Sequence, residues 1–339
     1  MDKKRICIIY TGGTIGMVRS PRGYIPDSVS FRAAMERLRG LYRAGMPEWE
    51  IVEFSPLLDS SNVTVREWNK LGRAVAERYA RFDGFVILHG TDTMAYSASA
   101  LAFMLEGLNK PVVFTGAQIP LSELRSDGFD NIADAVLIAA GGRVREVCVS
   151  FHGMLLRGCR CTKRSADRFA AFESPNAPPL ADVGITVRYS QIAPPPASGP
   201  FRALEFAETP VGVIKIFPGI QFEIFEPIMT GALRGVVLET FGAGNVPSTD
   251  GSLLPIIEKA RRAGAVITVC SQCSQGSVSL GAYETSSALK EIGAVDGKDM
   301  TTEAAFAKLY YLFSLGLDAE AVRERMTRSL RGELTEGEG

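Results

Sequence analysis

Apolar and polar positions alternate along the first half of the chain in blocks whose periods predict strands and helices in turn. Continuous apolar, β-branched runs predict buried parallel strands at 5–10, 84–88, 111–115 and 146–151. The remaining predicted elements are helices at 31–44, 65–81, 94–106 and 129–140 and a strand at 50–54. Because strands and helices alternate, this half predicts a parallel, doubly wound sheet with right-handed crossovers.

Proline separates this pattern from a second one. Seven prolines lie between residues 174 and 200, and they indicate a semi-rigid linker. Beyond them, the predicted elements are strands at 211–217, 235–240 and 265–270 and helices at 221–230, 252–263, 301–315 and 318–330. We therefore predict two α/β domains, a larger N-terminal one at 1–190 with the doubly wound, parallel-type sheet and a smaller C-terminal one at 211–339, with the linker at 191–210.

The net charge and the hydropathy of the chain limit the partners and the cellular location that we expect. The net charge is −1 and no run is rich in Lys or Arg, so a nucleic-acid partner is not expected. No apolar run approaches the roughly 20 residues that a membrane span needs. The apolar stretch behind Arg5 is too short for a signal sequence. We therefore expect a cytoplasmic protein with no membrane partner.

Histidine and cysteine give little material for a metal centre. His89 and His152 are the only histidines, and Cys270 and Cys273 form a C-x-x-C pair with no second pair. We therefore predict no metal site and no cofactor. The scarcity of histidine also indicates that any acyl transfer uses a base other than histidine.

Two threonine-bearing motifs directly follow two of the predicted strands. TGGTIG occupies residues 11–16, and HGTDTM occupies residues 89–94. Ligands of open α/β sheets bind beyond the carboxyl ends of the strands, which makes Thr14, Thr91 and Asp92 candidate site residues. Glycines beside a threonine permit a tight turn whose N–H groups stabilise an oxyanion next to a hydroxyl nucleophile. Taken singly, the first motif also fits a β-turn, and Asp92 also fits a helix N-cap.

Two further features bear on the candidate site, namely Lys163 and the resemblance of the first motif to a dinucleotide-binding turn. A partly desolvated lysine paired with a carboxylate transfers protons, so Lys163 is a candidate partner of Asp92, although spacing alone does not single it out from surface lysines. The glycines of the first motif follow the order G-G-x-x-G instead of G-x-G-x-x-G, and Glu53 lies too far along the chain for the ribose contact. Dinucleotide binding is therefore not favoured.

Together, these motifs resemble the asparaginase family, and most closely its type I, cytoplasmic branch. The resemblance spans essentially the whole chain, in the segments YTGGTIGM (10–17), GYIP (23–26), LLDSSNVT (57–64), GFVILHGTDTMAYSASAL (84–101), TGAQIPLSELRSDG (115–128), FPGI (217–220), GAGN (242–245) and LRGEL (330–334). It implies hydrolysis of L-asparagine to L-aspartate and ammonia through a covalent β-aspartyl-threonine intermediate.

The resemblance also implies roles for individual residues. It makes Thr14 the nucleophile and Tyr24 its hydrogen-bond partner on a mobile lid at about 16–30. It places Lys163 with Thr91 and Asp92 in a second triad that polarises Thr91 or an attached water. The implied substrate-binding residues are Asp59, Ser60, Ser61, Asp92, Ala117 and Asn245, with Ser60 at the α-carboxylate and Asp92 at the ammonium. Asn245 matches a residue that reaches the site of a neighbouring subunit, so a homodimer or homotetramer is implied.

Two positions depart from the family pattern. Ser61 stands where secreted members carry glutamine, which leaves the preference between asparagine and glutamine open. Glu239 replaces an arginine with which some regulated members sense asparagine at a second site. We therefore expect that response to be lost, or Cys273 and its neighbours to be used differently.

Two alternatives to an asparagine amidohydrolase stay open. One is a glutamine- or peptide-directed amidase with the same machinery, and the other is a catalytically silent amino-acid sensor. A sensor tolerates loss of its nucleophile, but the chain retains the complete catalytic set of Thr14, Tyr24, Thr91, Asp92 and Lys163.

Overall fold

The computed structural model describes residues 3–21, 23–41, 46–192, 194–195, 199–247, 251–282 and 284–336. The chain forms two compact units, Met1–Leu204 and Glu205–Gly339. The division falls within the segment 191–210 that the sequence analysis assigns to the linker. Within the described residues, no helix is both long and apolar enough to cross a membrane.

The first unit contains fourteen described strands and four described helices. The strands are β1 Arg5–Gly12, β2 Met17–Ser20, β3 Gly23–Pro26, β4 Glu48–Leu58, β5 Gly84–Leu88, β6 Leu105–Glu106, β7 Val112–Thr115, β8 Val147–Phe151, β9 Met154–Arg157, β10 Thr162–Lys163, β11 Phe172–Glu173, β12 Ala181–Val183, β13 Val187–Tyr189 and β14 Arg202–Ala203. The helices are α1 Ser28–Leu41, α2 Val65–Ala76, α3 Met94–Met104 and α4 Gly128–Gly141.

An eight-stranded sheet with the order β13-β12-β9-β8-β7-β5-β1-β4 organises this unit. Strands β4, β1, β5, β7 and β8 run parallel, and every residue of β5, β7 and β8 is buried. Burial on both faces explains why these strands have no polar alternation in the sequence. The predicted parallel sheet is therefore confirmed for its central part.

The remaining strands of this sheet are antiparallel, and the sequence pattern did not indicate them. Strand β9 turns back on β8 through His152 and Gly153, which both have positive φ values, of 48° and 74°. Strands β12 and β13 then extend the sheet. They lie inside the proline-rich stretch 174–200, so its interpretation as a linker is wrong for residues 181–189. The prolines flank these short edge strands instead of interrupting them.

Helix α2 is shorter than the helix that the apolar period predicts. Thr64 begins it with a capping box, in which the Thr64 N–H donates to Glu67 Oε2 over 2.9 Å. The predicted helix continues to residue 81, but α2 ends at Ala76, and turns of i→i+3 hydrogen bonds follow. Tyr79, which fits the helical period, stacks instead on Phe201 at a ring distance of 3.6 Å.

The second unit is a smaller parallel sheet covered by helices. Its described strands and helices are β15 Val211–Lys215, β16 Gly235–Thr240, β17 Val266–Ser271, β18 Val295–Asp296, α5 Glu226–Gly231, α6 Leu253–Arg262, α7 Glu284–Glu291, α8 Thr302–Ser314 and α9 Ala319–Met326. All four strands pair in parallel in chain order. The predicted fold class of two α/β domains is thereby confirmed.

A buried ion pair connects helix α8 with the segment that follows α9 in the second unit. Lys308 of α8 contacts Glu333 over 2.6 Å, and neither side chain is exposed. Lys308 also donates to the carbonyl of Met326 over 3.0 Å, and Glu333 accepts from the N–H groups of Leu330 and Arg331. Both charges are therefore compensated within the interior.

Candidate active site

The loops after β4, β1 and β5 lie side by side because these strands are neighbours in the parallel sheet. The loop after β1 is held to the end of β4, where the Gly13 N–H donates to the Leu58 carbonyl over 3.2 Å. Gly12 has a φ of 125°, and a Cβ there would lie 2.2 Å from the Leu58 oxygen. A glycine is therefore required at this turn.

Gly13 and Gly90 bring the two threonine motifs into direct backbone contact. A Cβ on Gly13 would lie 2.5 Å from the Cα of Gly90, and a Cβ on Gly90 would lie 2.4 Å from the Oγ of Ser60. The loops after β1 and β5 therefore touch without a side chain between them, and only the Ser60 side chain lies between Gly90 and the loop after β4. This close approach gathers Thr14, Ser60 and Thr91 into one cluster at the carboxyl edge of the sheet.

Lys163 makes the central contact of this cluster. Its Nζ donates to the Oγ1 of Thr91 over 2.8 Å and to Oδ1 of Asp92 over 2.7 Å. Thr91 is 6% exposed, whereas the side chain of Asp92 is 67% exposed. A buried hydroxyl thus meets an ammonium whose charge is balanced by a carboxylate that faces solvent.

Gln118 is a further member of the cluster that sequence reasoning missed. Its Oε1 accepts the hydroxyl hydrogen bond of Thr91 over 3.2 Å, and its Nε2 donates to the Arg168 carbonyl over 3.1 Å. The Asp127 carboxylate holds the backbone N–H of Gln118 in place over 3.0 Å. The signal was present, since Gln118 ends the TGAQ stretch after strand β7, but only the adjacent Ala117 was selected.

The structure places the predicted substrate-binding residues of the first unit as follows. Ser60 is 4% exposed, and its carbonyl accepts the hydroxyl of Thr93 over 2.8 Å. Asp59 caps the short turn after β4 by accepting the Ser61 N–H over 3.0 Å, and both of these residues are exposed. Ala117 is buried between the end of β7 and Gln118.

Thr14 and Tyr24 are not brought together. Thr14 is half-buried at the start of a short 3-10 turn, and its hydroxyl makes no hydrogen bond within the described residues. Tyr24 lies on β3 with 43% of its surface exposed. Its hydroxyl donates to Glu123 Oε1 over 3.1 Å and accepts from Arg19 over 3.3 Å. The predicted contact between Tyr24 and Thr14 is therefore absent from the described part of the structure.

His89 holds the backbone of the second motif in place through its hydrogen bonds. Its Nδ1 faces the Gly90 carbonyl at 2.7 Å, so Nδ1 carries the proton and Nε2 accepts from Ser97 over 3.0 Å. Trp68 donates to the same Ser97 hydroxyl over 2.9 Å. Burial lowers the pKa of His89 to about 4. The imidazole is therefore neutral at pH 7 and fixes the backbone beside Thr91.

Asn245 and Glu239 lie in the second unit. Asn245 closes a tight turn with Phe241, whose N–H donates to the Asn245 carbonyl over 3.0 Å. Oε1 of Glu239 accepts the hydroxyl of Thr302 over 2.6 Å. Within the part of the chain that the structure describes, no group of three His, Cys, Asp or Glu side chains is arranged to hold a metal ion.

Two family models together cover most of the chain. Residues 5–194 match "Asparaginase, N-terminal", and residues 210–326 match "Glutaminase/Asparaginase C-terminal domain". The chain belongs to the asparaginase family.

Individual asparaginases agree with this assignment. L-asparaginase 1 of Escherichia coli (strain K12) is 44% identical over 336 residues, which cover 99% of each chain. The crystal structure of L-asparaginase I from Vibrio cholerae superimposes with a TM-score of 0.91 at 41% identity, over 98% of this chain and all of that one. The 60 kDa lysophospholipase of Mus musculus is 40% identical over 98% of this chain but only 63% of its own length. The predicted family and its type I branch are thereby confirmed.

Proposed function

We propose that this asparaginase-family chain hydrolyses L-asparagine to L-aspartate and ammonia through a threonine-bound acyl-enzyme intermediate. The observation that carries this proposal is the contact of Lys163 with both Thr91 and Asp92 beside the loop of Thr14. The Thr91 hydroxyl, one ammonium and one carboxylate meet there, and the neighbouring loop carries the Thr14 hydroxyl. His89 is not free to act as a base, because it is committed to Gly90 and Ser97.

In the first half of the reaction, the Oγ of Thr14 attacks the side-chain amide carbon of asparagine. A C–O bond forms, the tetrahedral oxyanion collapses, and the C–N bond breaks, so that ammonia leaves with the proton of the Thr14 hydroxyl. Backbone N–H groups of the glycine turn other than that of Gly13, which donates to Leu58, stabilise the oxyanion. The hydroxyl of Thr14 supports this role, because among the described residues it has no hydrogen bond to give up before it attacks.

In the second half, water hydrolyses the aspartyl ester on Thr14. Thr91 positions this water, the Lys163 ammonium polarises it, and the Asp92 carboxylate takes up its proton and passes it to the Thr14 oxygen as the ester breaks. The ester C–O bond breaks, L-aspartate leaves, and the Thr14 hydroxyl is restored. Gln118 fits this step because it orients the hydroxyl of Thr91 over 3.2 Å.

Substrate binding in this proposal uses both exposed and buried residues of the cluster. The carboxylate of Asp92 holds the substrate ammonium, and Ser60 holds the α-carboxylate. The remaining contacts come from Asp59, Ser61 and Ala117. Asn245 is supplied by a second copy of the chain, so that the working enzyme is a homodimer or homotetramer in the cytoplasm and needs no cofactor.

Ammonia release tests the substrate and separates the alternatives. Asparagine, glutamine and β-aspartyl peptides are compared over a wide concentration range, with lysophosphatidylcholine hydrolysis as a comparison because one relative is named a lysophospholipase. Asparagine is expected to have the highest kcat/KM. A preference for glutamine or peptides would select the alternative amidase, and no release from any amide would leave the silent sensor.

Two further experiments test the intermediate and the shared site. Mass spectrometry of acid-quenched enzyme is expected to find an aspartyl group on the wild type and none on Thr14→Ala. A mixture of Thr14→Ala and Asn245→Ala subunits is expected to regain activity, because a mixed dimer contains one site with an intact Thr14 and an intact Asn245. A mixture that stays inactive although mixed dimers form would remove Asn245 from the partner's site.

A further inference from the structure

Tyr24 is held at the surface of the first unit by two charged side chains. Its hydroxyl donates to Oε1 of Glu123 over 3.1 Å and accepts from Nη2 of Arg19 over 3.3 Å. Nε of Arg19 lies 3.3 Å from the same oxygen of Glu123. The Arg19 guanidinium also lies over the Tyr24 ring, 5.7 Å from its centroid. Each of these three residues therefore contacts the other two.

This network docks a small hairpin onto the loop after β7. Strands β2 and β3 pair in antiparallel fashion, with Arg19 opposite Tyr24, and all four residues of β3 are exposed. Two more contacts join the base of the hairpin to the same loop, from Ser122 Oγ to the Met17 carbonyl over 2.9 Å and from the Leu121 N–H to the Ile15 carbonyl over 3.1 Å. Residues 121–123 thus form a docking segment for the hairpin.

A cavity next to the base of the hairpin leaves space in which the hairpin can move. A cavity of about 700 Å³ is lined by Ile15–Met17, by one side of α1 and by residues 121–126. The hydroxyl of Tyr10 lies beside it against Gly16, where a Cβ would be 1.9 Å away, and this buried hydroxyl has no hydrogen-bond partner among the residues that the structure describes. A buried hydroxyl without a partner costs free energy, so the packing at the base of the hairpin is not fully satisfied in this arrangement.

We propose that Glu123, together with Arg19, is a positioning residue that holds Tyr24 away from Thr14 until substrate binds. This inference rests on the proposed function, in which Tyr24 acts on Thr14. The Tyr24 hydroxyl donates its single proton to Glu123, so it cannot donate that proton to Thr14 as well. Substrate binding must therefore break the contact of Tyr24 with Glu123, and part of the binding free energy is used to release the hairpin.

The consequence is a lower apparent affinity for asparagine. When only a fraction of the molecules has a released hairpin, the apparent dissociation constant rises by the inverse of that fraction. One exposed hydrogen bond to a charged group changes an equilibrium roughly 3- to 10-fold. Glu123→Ala is therefore expected to lower KM for asparagine roughly 3- to 10-fold, with a smaller effect on kcat. Glu123→Gln is expected to lie between Glu123→Ala and the wild type, because it keeps an acceptor for Tyr24 but loses the ion pair.

Glu77→Gln is the matched control, since Glu77 is an exposed glutamate that pairs with Arg78 and does not touch the hairpin. It is expected to leave KM unchanged. In a Tyr24→Phe background, the KM effect of Glu123→Ala is expected to shrink, because the hydroxyl that Glu123 holds is already gone. An unchanged or higher KM in Glu123→Ala, or an equal effect in both backgrounds, would overturn the proposal.

Hydrogen–deuterium exchange separates this proposal from the proposed function. Without substrate, the peptide that covers residues 15–27 is expected to exchange faster in Glu123→Ala than in the wild type or Glu77→Gln. If the wild type releases no ammonia from asparagine, the proposed function fails, but the exchange result still reports whether Glu123 holds the hairpin. If exchange is unchanged in an active enzyme, only the role of Glu123 is refuted.

Discussion

Lys163 donates a hydrogen bond to the buried hydroxyl of Thr91 over 2.8 Å, although the two residues are 72 positions apart. The same ammonium pairs with Asp92 at 2.7 Å. The contact therefore couples a hydroxyl to an ion pair at the carboxyl edge of the sheet.

Lys163→Met is expected to lower kcat for asparagine about 10²- to 10⁴-fold, the usual contribution of a positioned acid–base group. The variant removes the ammonium that polarises Thr91 and pairs with Asp92, while it keeps the approximate length of the side chain. Steady-state ammonia release measures the effect. Lys4→Met is the control, because Lys4 forms an exposed Lys–Asp pair with Asp83 over 3.0 Å outside the cluster. Equal losses in both variants would contradict the role of Lys163.

Thr14→Ala is expected to abolish turnover, because it removes the nucleophile. It is not expected to unfold the chain, because the Thr14 hydroxyl makes no hydrogen bond within the part of the chain that the structure describes. Thr91→Val is expected to reduce kcat by orders of magnitude, since it removes the acceptor of Lys163 and the donor to Gln118. Thr14→Ser retains the nucleophile and is expected to keep measurable activity. Near-normal turnover in Thr14→Ala would exclude Thr14 as the attacking group.

Gly90→Ala tests the contact between the two motifs. The added Cβ would lie 2.4 Å from Oγ and 2.6 Å from Cβ of Ser60, so the loops must separate. We expect a loss of about 1–3 kcal/mol in the free energy of unfolding, together with a loss of kcat. Gly184→Ala is the control, because a Cβ at Gly184 meets no atom within 4 Å. Urea unfolding and ammonia release are measured on both variants, and equal behaviour would refute the close packing.

His89 predicts a dependence of stability on pH. Burial lowers its pKa to about 4 in the folded state, compared with about 6.5 in the unfolded chain. Between these values the unfolded state binds a proton that the folded state does not, so the free energy of unfolding falls as the pH falls from about 6.5 to 4. Above about 6.5 both states are neutral and the contribution is complete.

The matched variant for this prediction is His89→Gln, which does not titrate. The difference in unfolding free energy between wild type and variant is expected to change by about 2 kcal/mol between pH 7 and pH 5, to the disadvantage of the wild type. Urea unfolding at the two pH values measures it. A difference that is independent of pH would show that His89 is not held neutral in the fold.

Lys308→Met tests the buried ion pair of the second unit. It leaves the carboxylate of Glu333 unexposed and without its cation, which we expect to cost about 3–5 kcal/mol of unfolding free energy. The double variant Lys308→Met, Glu333→Gln is expected to recover part of this loss, because it removes the uncompensated charge. Lys259→Met breaks an exposed pair with Glu226 and is expected to cost about 1 kcal/mol or less. Equal losses at Lys308 and Lys259 would contradict the burial of the pair.

Elements that are apolar on all sides were predictable from the sequence alone. Strand β5 occupies Gly84–Leu88 and strand β16 occupies Gly235–Thr240, with the bounds that their apolar runs predict. Burial on both faces leaves an almost continuous apolar signal, broken only by Glu239 and Thr240 at the end of β16. This is why both strands and the position of the motif at 89–94 could be predicted from the sequence. Short edge strands such as β12, at Ala181–Val183, carry no such signal because few of their residues are buried.

The sequence by itself determined the α/β class, the positions of the main strands along the chain and the placement of Thr14 and Thr91 after strand ends, because local apolar patterns specify local structure. Only the tertiary structure decided which partners these groups have. It gave Thr91 the oxygen of Gln118, and it turned Tyr24 toward Glu123, 99 residues away. Such contacts depend on how the sheet folds distant segments together, and no periodicity along the chain encodes the distance between them.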